Sequence, residues 1–158
     1  MPIKFNIDEV LEMACQIERN GAKFYREASA IVSDTQEIDL LQKLAEQEDQ
    51  HLEVFEGMRQ HLSAAEKEDD TYDPYDEAAL YLQAMADSNI FDDKELSGDE
   101  TLGEIFKLAL QAEKDSVAFY VGLKEMVPDE AGKEKMSAVI REEMSHIRWI
   151  IDELKRSS

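Results

Sequence analysis

Two stretches of the chain pair a carboxylate with an imidazole three residues later, Glu48-x-x-His51 and Glu143-x-x-His146. Residues three apart on a helix share a face, so each pair can grip one metal ion. Either pair alone is a weak signal, because Glu supplies 22 of the 158 residues. The second copy changes that, since it repeats the first at a fixed offset of 95 positions. Sliding the sequence by that offset superposes two halves without a gap. Glu9 falls on Glu104, Ala14 on Ala109, Gln16 on Gln111, Glu18 on Glu113, and Phe24-Tyr25 on Phe119-Tyr120. Val32 falls on Val127, Asp34 on Asp129, Glu48 on Glu143 and His51 on His146. Ten identities in 55 pairs is low overall, and a repeat of core packing alone would copy apolar residues. This one copies a Glu, a Tyr and a Glu-x-x-His.

The elements that must position these residues read as helices. Asn6 or Asp8 can cap a helix over about 8–32, with Val10, Leu11, Ala14, Glu18, Ala22, Tyr25 and Ala28 at helical spacing. Val32-Ser33-Asp34-Thr35 starts a second over about 35–63, carrying Leu41, Leu44, Glu48, His51, Phe55 and Met58. Two helices of about 40 Å joined so tightly form an antiparallel hairpin. A third over about 99–127 and a fourth over about 129–156, entered at Pro128, form the second hairpin. Between them, 64–98 is a crossover. It holds an acidic, solvated run at 66–77 and a short helix at about 76–87, while Asn89, Asp92, Asp93 and Ser97-Gly98-Asp99 read as loop and the next helix cap. The expectation is a single all-α domain over 1–158, an antiparallel four-helix bundle with one long crossover containing a short helix.

That arrangement explains why polar residues are repeated. Glu18 lies on the stripe Leu11-Ala14-Glu18-Ala22-Tyr25, which should face the bundle interior, and Glu113 lies likewise on Phe106-Ala109-Glu113-Tyr120. Burying four carboxylates uncompensated is prohibitive, whereas two divalent cations neutralise them and two His complete the shell. One Glu from each of two helices plus a Glu-x-x-His from each of the others is a known bundle recipe for two metals. Such donors suit iron or manganese, and zinc also binds them.

Composition narrows the function. A formal net charge of −20 argues against nucleic acid and against an anionic membrane surface. No apolar run of 18 residues is present, so no transmembrane helix is expected. The N-terminus lacks the basic start and apolar stretch of a signal peptide, and the lone Cys15 fits a reducing compartment, so a cytoplasmic location is expected.

The residues resemble the rubrerythrin-type branch of the ferritin-like di-iron carboxylate proteins. The carriers are Glu18-x-x-Gly21-x-x-Phe24-Tyr25, Glu48-x-x-His51, Ala112-Glu113-Lys114-Asp115-Ser116-x-x-Phe119-Tyr120 and Glu143-x-x-His146. The resemblance implies a ferritin-like bundle in which Glu18, Glu48, His51, Glu113, Glu143 and His146 bind two Fe ions, Mn or Zn being able to replace them. It implies that Glu48 and Glu143 bridge the metals, and that Tyr25 and Tyr120 orient carboxylates. Two departures stand out. Two-domain rubrerythrins add a rubredoxin-like domain with paired Cys-x-x-Cys motifs, whereas this chain has one cysteine. They also carry an extra carboxylate near the third-helix Glu, where this chain has Leu110, Ser116 and Val117. The symmetric ligand set is nearer to bacterioferritin, but the twelve residues after His146 are too few for the fifth helix of an iron-storage cage.

The function that follows is a non-haem di-iron oxidoreductase acting on hydrogen peroxide or O₂, with peroxide favoured. Electrons would come from a separate donor protein, and a homodimer is expected. Two other readings stay open: a ferroxidase or iron-handling protein, and a structural metal-binding bundle without redox turnover. Cys15 reads as a buried small hydrophobe, His61 as exposed, and Met144 and Trp149 as packing or dimer-contact residues.

Overall fold

A computed structural model of the chain describes residues 6–68, 77–88 and 94–157. Most of the acidic run, with Asn89, Asp92 and Asp93, lies outside the described residues. Four long helices carry the fold: α1 (Ile7–Ile31), α2 (Thr35–Gln60), α5 (Leu102–Met126) and α6 (Glu130–Ser157). Between α2 and α5 lie two short ones, α3 (Ala64–Glu68) and α4 (Glu77–Ala86). The helices α1 and α2 pair as one antiparallel hairpin and α5 and α6 as the other, and no strand occurs among the described residues. The all-α bundle with a long crossover matches the expectation from the repeat. No described helix is long and apolar enough to cross a membrane.

Local chemistry sets the helix starts. The Asn6 side chain accepts from the Glu9 amide at 2.9 Å, Asp34 from Gln36 at 2.8 Å, and Asp129 from Gly132 at 2.9 Å. The α5 cap is Thr101 rather than a residue of the Ser97–Asp99 cluster. Glu100 explains this, because its carboxylate accepts from the Ser97 and Gly98 amides at 2.6 and 2.9 Å and closes that turn separately. The sequence points to one short crossover helix, whereas two occur. The Ser63 amide donates to Glu66, and the Glu66 amide to Ser63 Oγ, a reciprocal capping box that starts α3.

Packing then divides the interior in two. One apolar cluster contains Leu11, Ala14, Cys15, Phe55, Phe119, Tyr120 and Met136. The other contains Tyr25, Leu41, Leu44, Phe106, Ala109 and Ile150. Between them lies a polar layer. The crossover helix α4 closes over α5 at Gly122, where an added Cβ would lie 2.7 Å from Tyr81 Cδ1 and 3.0 Å from Leu82 Cδ2. The Tyr81 hydroxyl donates to the Ala118 carbonyl one turn away. Gly122→Ala should therefore destabilise the protein by about 1–3 kcal/mol in urea unfolding through overpacking. In an open helix interior the same change would instead stabilise by roughly 1 kcal/mol, so the sign of the effect reports the closeness of α4.

Candidate metal centre

Each long helix interrupts its own apolar stripe at the same level. Glu18 stands between Ala14 and Ala22 on α1, and Glu48 and His51 between Leu44 and Phe55 on α2. Glu113 follows Ala109 on α5, and Glu143 and His146 stand between Val139 and Ile150 on α6. None of the six is more than 4% exposed.

Their donor atoms form two overlapping groups. Glu18, Glu48, His51 and Glu143 offer four atoms within 4.8 Å of one another, and Glu48, Glu113, Glu143 and His146 do the same. Glu48 and Glu143 are common to both, the placement of carboxylates shared by two ions. The His51 and His146 rings stack, with centroids 5.7 Å apart. His51 Nδ1 lies 2.7 Å from Glu143 Oε1, and His146 Nδ1 lies 3.4 Å from Glu113 Oε1. Yet neither Nδ1 atom has a hydrogen-bond partner, and nor have Glu18 Oε2, Glu113 Oε2 or either Glu143 oxygen. Buried polar atoms are nearly always partnered, so unpartnered atoms converging on one layer mark a place for cations. An oxygen-rich set with one imidazole per group fits a pair of divalent metals.

The tyrosines cross-tie the layer. Tyr25 on α1 donates to Glu113 Oε1 on α5, and Tyr120 on α5 donates to Glu18 Oε1 on α1 at 2.5 Å. The sequence puts each tyrosine on the face of its own helix's Glu, and the structure pairs each with the Glu of the other repeat. Each phenol fixes one carboxylate oxygen and leaves the other free. Burial, then the charges of the neighbouring carboxylates, push both phenols well above their ordinary range, so they remain donors.

Two residues that hold the imidazoles escape a reading of the sequence. His51 Nε2 donates to Glu142 Oε2 at 2.5 Å, and His146 Nε2 donates to Gln47 Oε1 at 2.5 Å. These bonds direct Nδ1 of each ring at the carboxylates. Their one signal in the sequence is a position just before each repeated Glu, but the contact crosses between α2 and α6 and shows only once the helices are docked.

Other candidates bring no donor atom to the centre. Cys15 is fully buried in the first apolar cluster, and burial pushes its thiol up to about 11. His61 is exposed at the end of α2, with Nδ1 2.7 Å from the Gly57 carbonyl oxygen. Met144 is exposed, while Trp149 packs beside His146. On α5, Ser116 Oγ donates to the Ala112 carbonyl, and Leu110, Ser116 and Val117 bring no further carboxylate.

Protonation follows from the crowding. Burial first, then repulsion from the other carboxylates, raises Glu48 and Glu143 well above the usual carboxylate range. Burial also works on Glu113, but the nearness of Glu143 and His146 and the bond from Tyr25 outweigh it and hold Glu113 at about 2. Burial opposes charge on His51, yet the nearby Glu18 carboxylate and the bonded Glu142 carboxylate outweigh it and raise that group. A raised folded-state value gives stability present below the ordinary value and lost as pH rises; Glu113, which is lowered, contributes the opposite way only between about 2 and 4.5. The metal-free protein should thus lose stability as pH rises above about 4.5, the ordinary Glu value. Thermal unfolding at pH 5 and pH 8 checks this, with a lower Tm at pH 8 and a smaller fall in Glu48→Gln.

A family model for rubrerythrin matches residues 9–154. A comparison with curated protein sequences returns no match. Among solved structures, the chain is similar to one described as a ferritin-like diiron-carboxylate protein from Thermotoga maritima. The two are 23% identical, with a TM-score of 0.76 and 100% of each chain covered.

Proposed function

The chain belongs to the rubrerythrin family, and from that premise we propose that it is a non-haem di-iron oxidoreductase reducing hydrogen peroxide with electrons from a separate donor protein. The observation that carries the reading is the pair of overlapping donor groups, six of whose buried atoms have no hydrogen-bond partner. Glu18, Glu48, His51 and Glu143 would hold one iron, and Glu48, Glu113, Glu143 and His146 the other. Iron bound there supplies the two electrons that, with two protons, convert peroxide to two waters.

The chain's own residues shape access and proton supply. A cavity of about 50 Å³ between α1 and α5 is lined by Gly21, Tyr25, Glu48, Glu113 and Ser116, with Lys94 beside them. That space suits a molecule of a few water-sized atoms rather than an organic substrate. Gly21 and Ser116 occupy the same position of the two repeats, and both are small. An added Cβ on Gly21 would lie 3.3 Å from Glu48 Cδ, so the glycine leaves Glu48 reachable. Tyr25 keeps its proton, borders the cavity and holds Glu113 by one oxygen. Apolar clusters above and below the layer exclude bulk water from the centre.

Stopped-flow oxidation of protein loaded anaerobically with two Fe(II) tests the proposal. Oxidation by peroxide should be at least about tenfold faster than by O₂, a difference of roughly 1.4 kcal/mol in barrier. Faster oxidation by O₂ would sink the peroxidase reading, and turnover of Fe(II) beyond two per chain would favour a ferroxidase. Ser116→Leu should slow the peroxide reaction without changing the metal content.

A further inference from the structure

The repeat is broken at one position that touches both imidazoles of the centre. Residues 47 and 142 occupy the same place in the two halves, and each contacts the histidine of the other half. His51 donates to the carboxylate of Glu142, while His146 donates to the carboxamide of Gln47, both at 2.5 Å. Everything else in the immediate set is matched: Glu18 with Glu113, Tyr120 with Tyr25, and Glu48 with Glu143. A second difference lies at the same level. Trp149 tilts beside His146 with ring centroids 5.5 Å apart, and the Lys43 ammonium sits 4.1 Å over the Trp149 ring. The repeat counterparts of Trp149 and Lys43 are Val54 and Ala138, so His51 has no matching aromatic and cation.

We infer that the two metal positions are inequivalent, and that Glu142 makes the position of Glu18, Glu48, His51 and Glu143 the tighter and more readily oxidised one. An anionic acceptor strengthens the Nε2–H bond and pushes electron density through the ring to Nδ1, making His51 the more basic ligand. Gln47 orients His146 equally well but adds no charge. The Lys43 cation, held over Trp149, adds a positive charge on the His146 side. Both differences act in one direction. Glu142 has a side chain 52% exposed, which screens its field but leaves its direct bond to the ring intact. Glu142 and Gln47 are positioning residues, since they act only through the imidazoles.

This inference rests on the two-metal reading, and a cobalt titration separates the two. Metal-free protein is titrated anaerobically with Co(II), read by calorimetry and visible absorbance. The wild type should bind two Co(II) per chain in two steps separated by about 10- to 100-fold in affinity. Glu142→Gln should narrow that gap by weakening the first step, and Gln47→Glu should narrow it by tightening the second. The double variant, which exchanges the two groups, should reopen a gap. In the iron-loaded protein, the two one-electron potentials should move closer in Glu142→Gln. Glu142 is exposed and Gln47 half-buried, so a single cooperative unfolding transition of the metal-free protein is the expected check that each variant folds. Two cobalt ions bound with a gap that neither single variant changes would overturn the inference alone. Fewer than two bound cobalt ions in the wild type would overturn the two-metal reading with it.

Discussion

Four carboxylates buried at one level of an apolar bundle are the constraint to which the rest of this structure answers. Burying one unpaired carboxylate already costs several kcal/mol, and four facing one another add mutual repulsion. Protein groups relieve only part of this. Tyr25 and Tyr120 each satisfy one oxygen, burial and mutual repulsion push Glu48 and Glu143 towards holding a proton, and the Nδ1 atoms of His51 and His146 remain unpartnered. The unmet remainder is a demand for positive charge at two adjoining points. The bundle supplies the rigidity that keeps the demand in place, since an apolar cluster closes the layer on either side. Glu18 and Glu113 are tied to the opposite hairpin through the tyrosines.

The internal repeat is a short route to such a site. One helical hairpin presents a Glu, a Tyr and a Glu-x-x-His, and a second copy of it completes both donor groups. Symmetry places Glu48 and Glu143 between the two groups, where each can serve both. It also places Gly21 against Ser116 along the cavity between α1 and α5. Departures from symmetry are then informative where they touch the centre. Gln47 against Glu142 is one such departure, and Val54 against Trp149 another. Glu142, Gln47 and Trp149 all touch the imidazoles, where charge and polarity can tune a metal without altering its ligands.

Much of the site is legible in the amino-acid sequence. Residues three apart share a helix face whatever the surroundings, so spacing alone pairs Glu48 with His51 and Glu143 with His146. The inward aim of Glu18 and Glu113 can be read from the apolar stripes they interrupt. Helix entry is readable where a cluster holds the cap, as at Ser33-Asp34-Thr35, and is misread where two signals compete. Glu100 captures the Ser97–Gly98 turn, and the α5 cap passes to Thr101. The capping box of Ser63 and Glu66 is present in the sequence but hidden at the edge of an acidic run that reads as loop. The tyrosine cross-ties and the Glu142 and Gln47 contacts are illegible for another reason. They depend on the angle and register at which two helices meet, and no periodicity along a single helix encodes that.

The central claim is that the unpartnered atoms of this layer are ligands for two metals sharing Glu48 and Glu143. Equilibrium dialysis against Fe(II) under anaerobic conditions, followed by elemental analysis, tests it most directly. Two metals per chain are expected in the wild type and a clear loss from that number in Glu48→Ala, because the removed carboxylate serves both positions. A Glu48→Ala protein that still holds two metals per chain would contradict it.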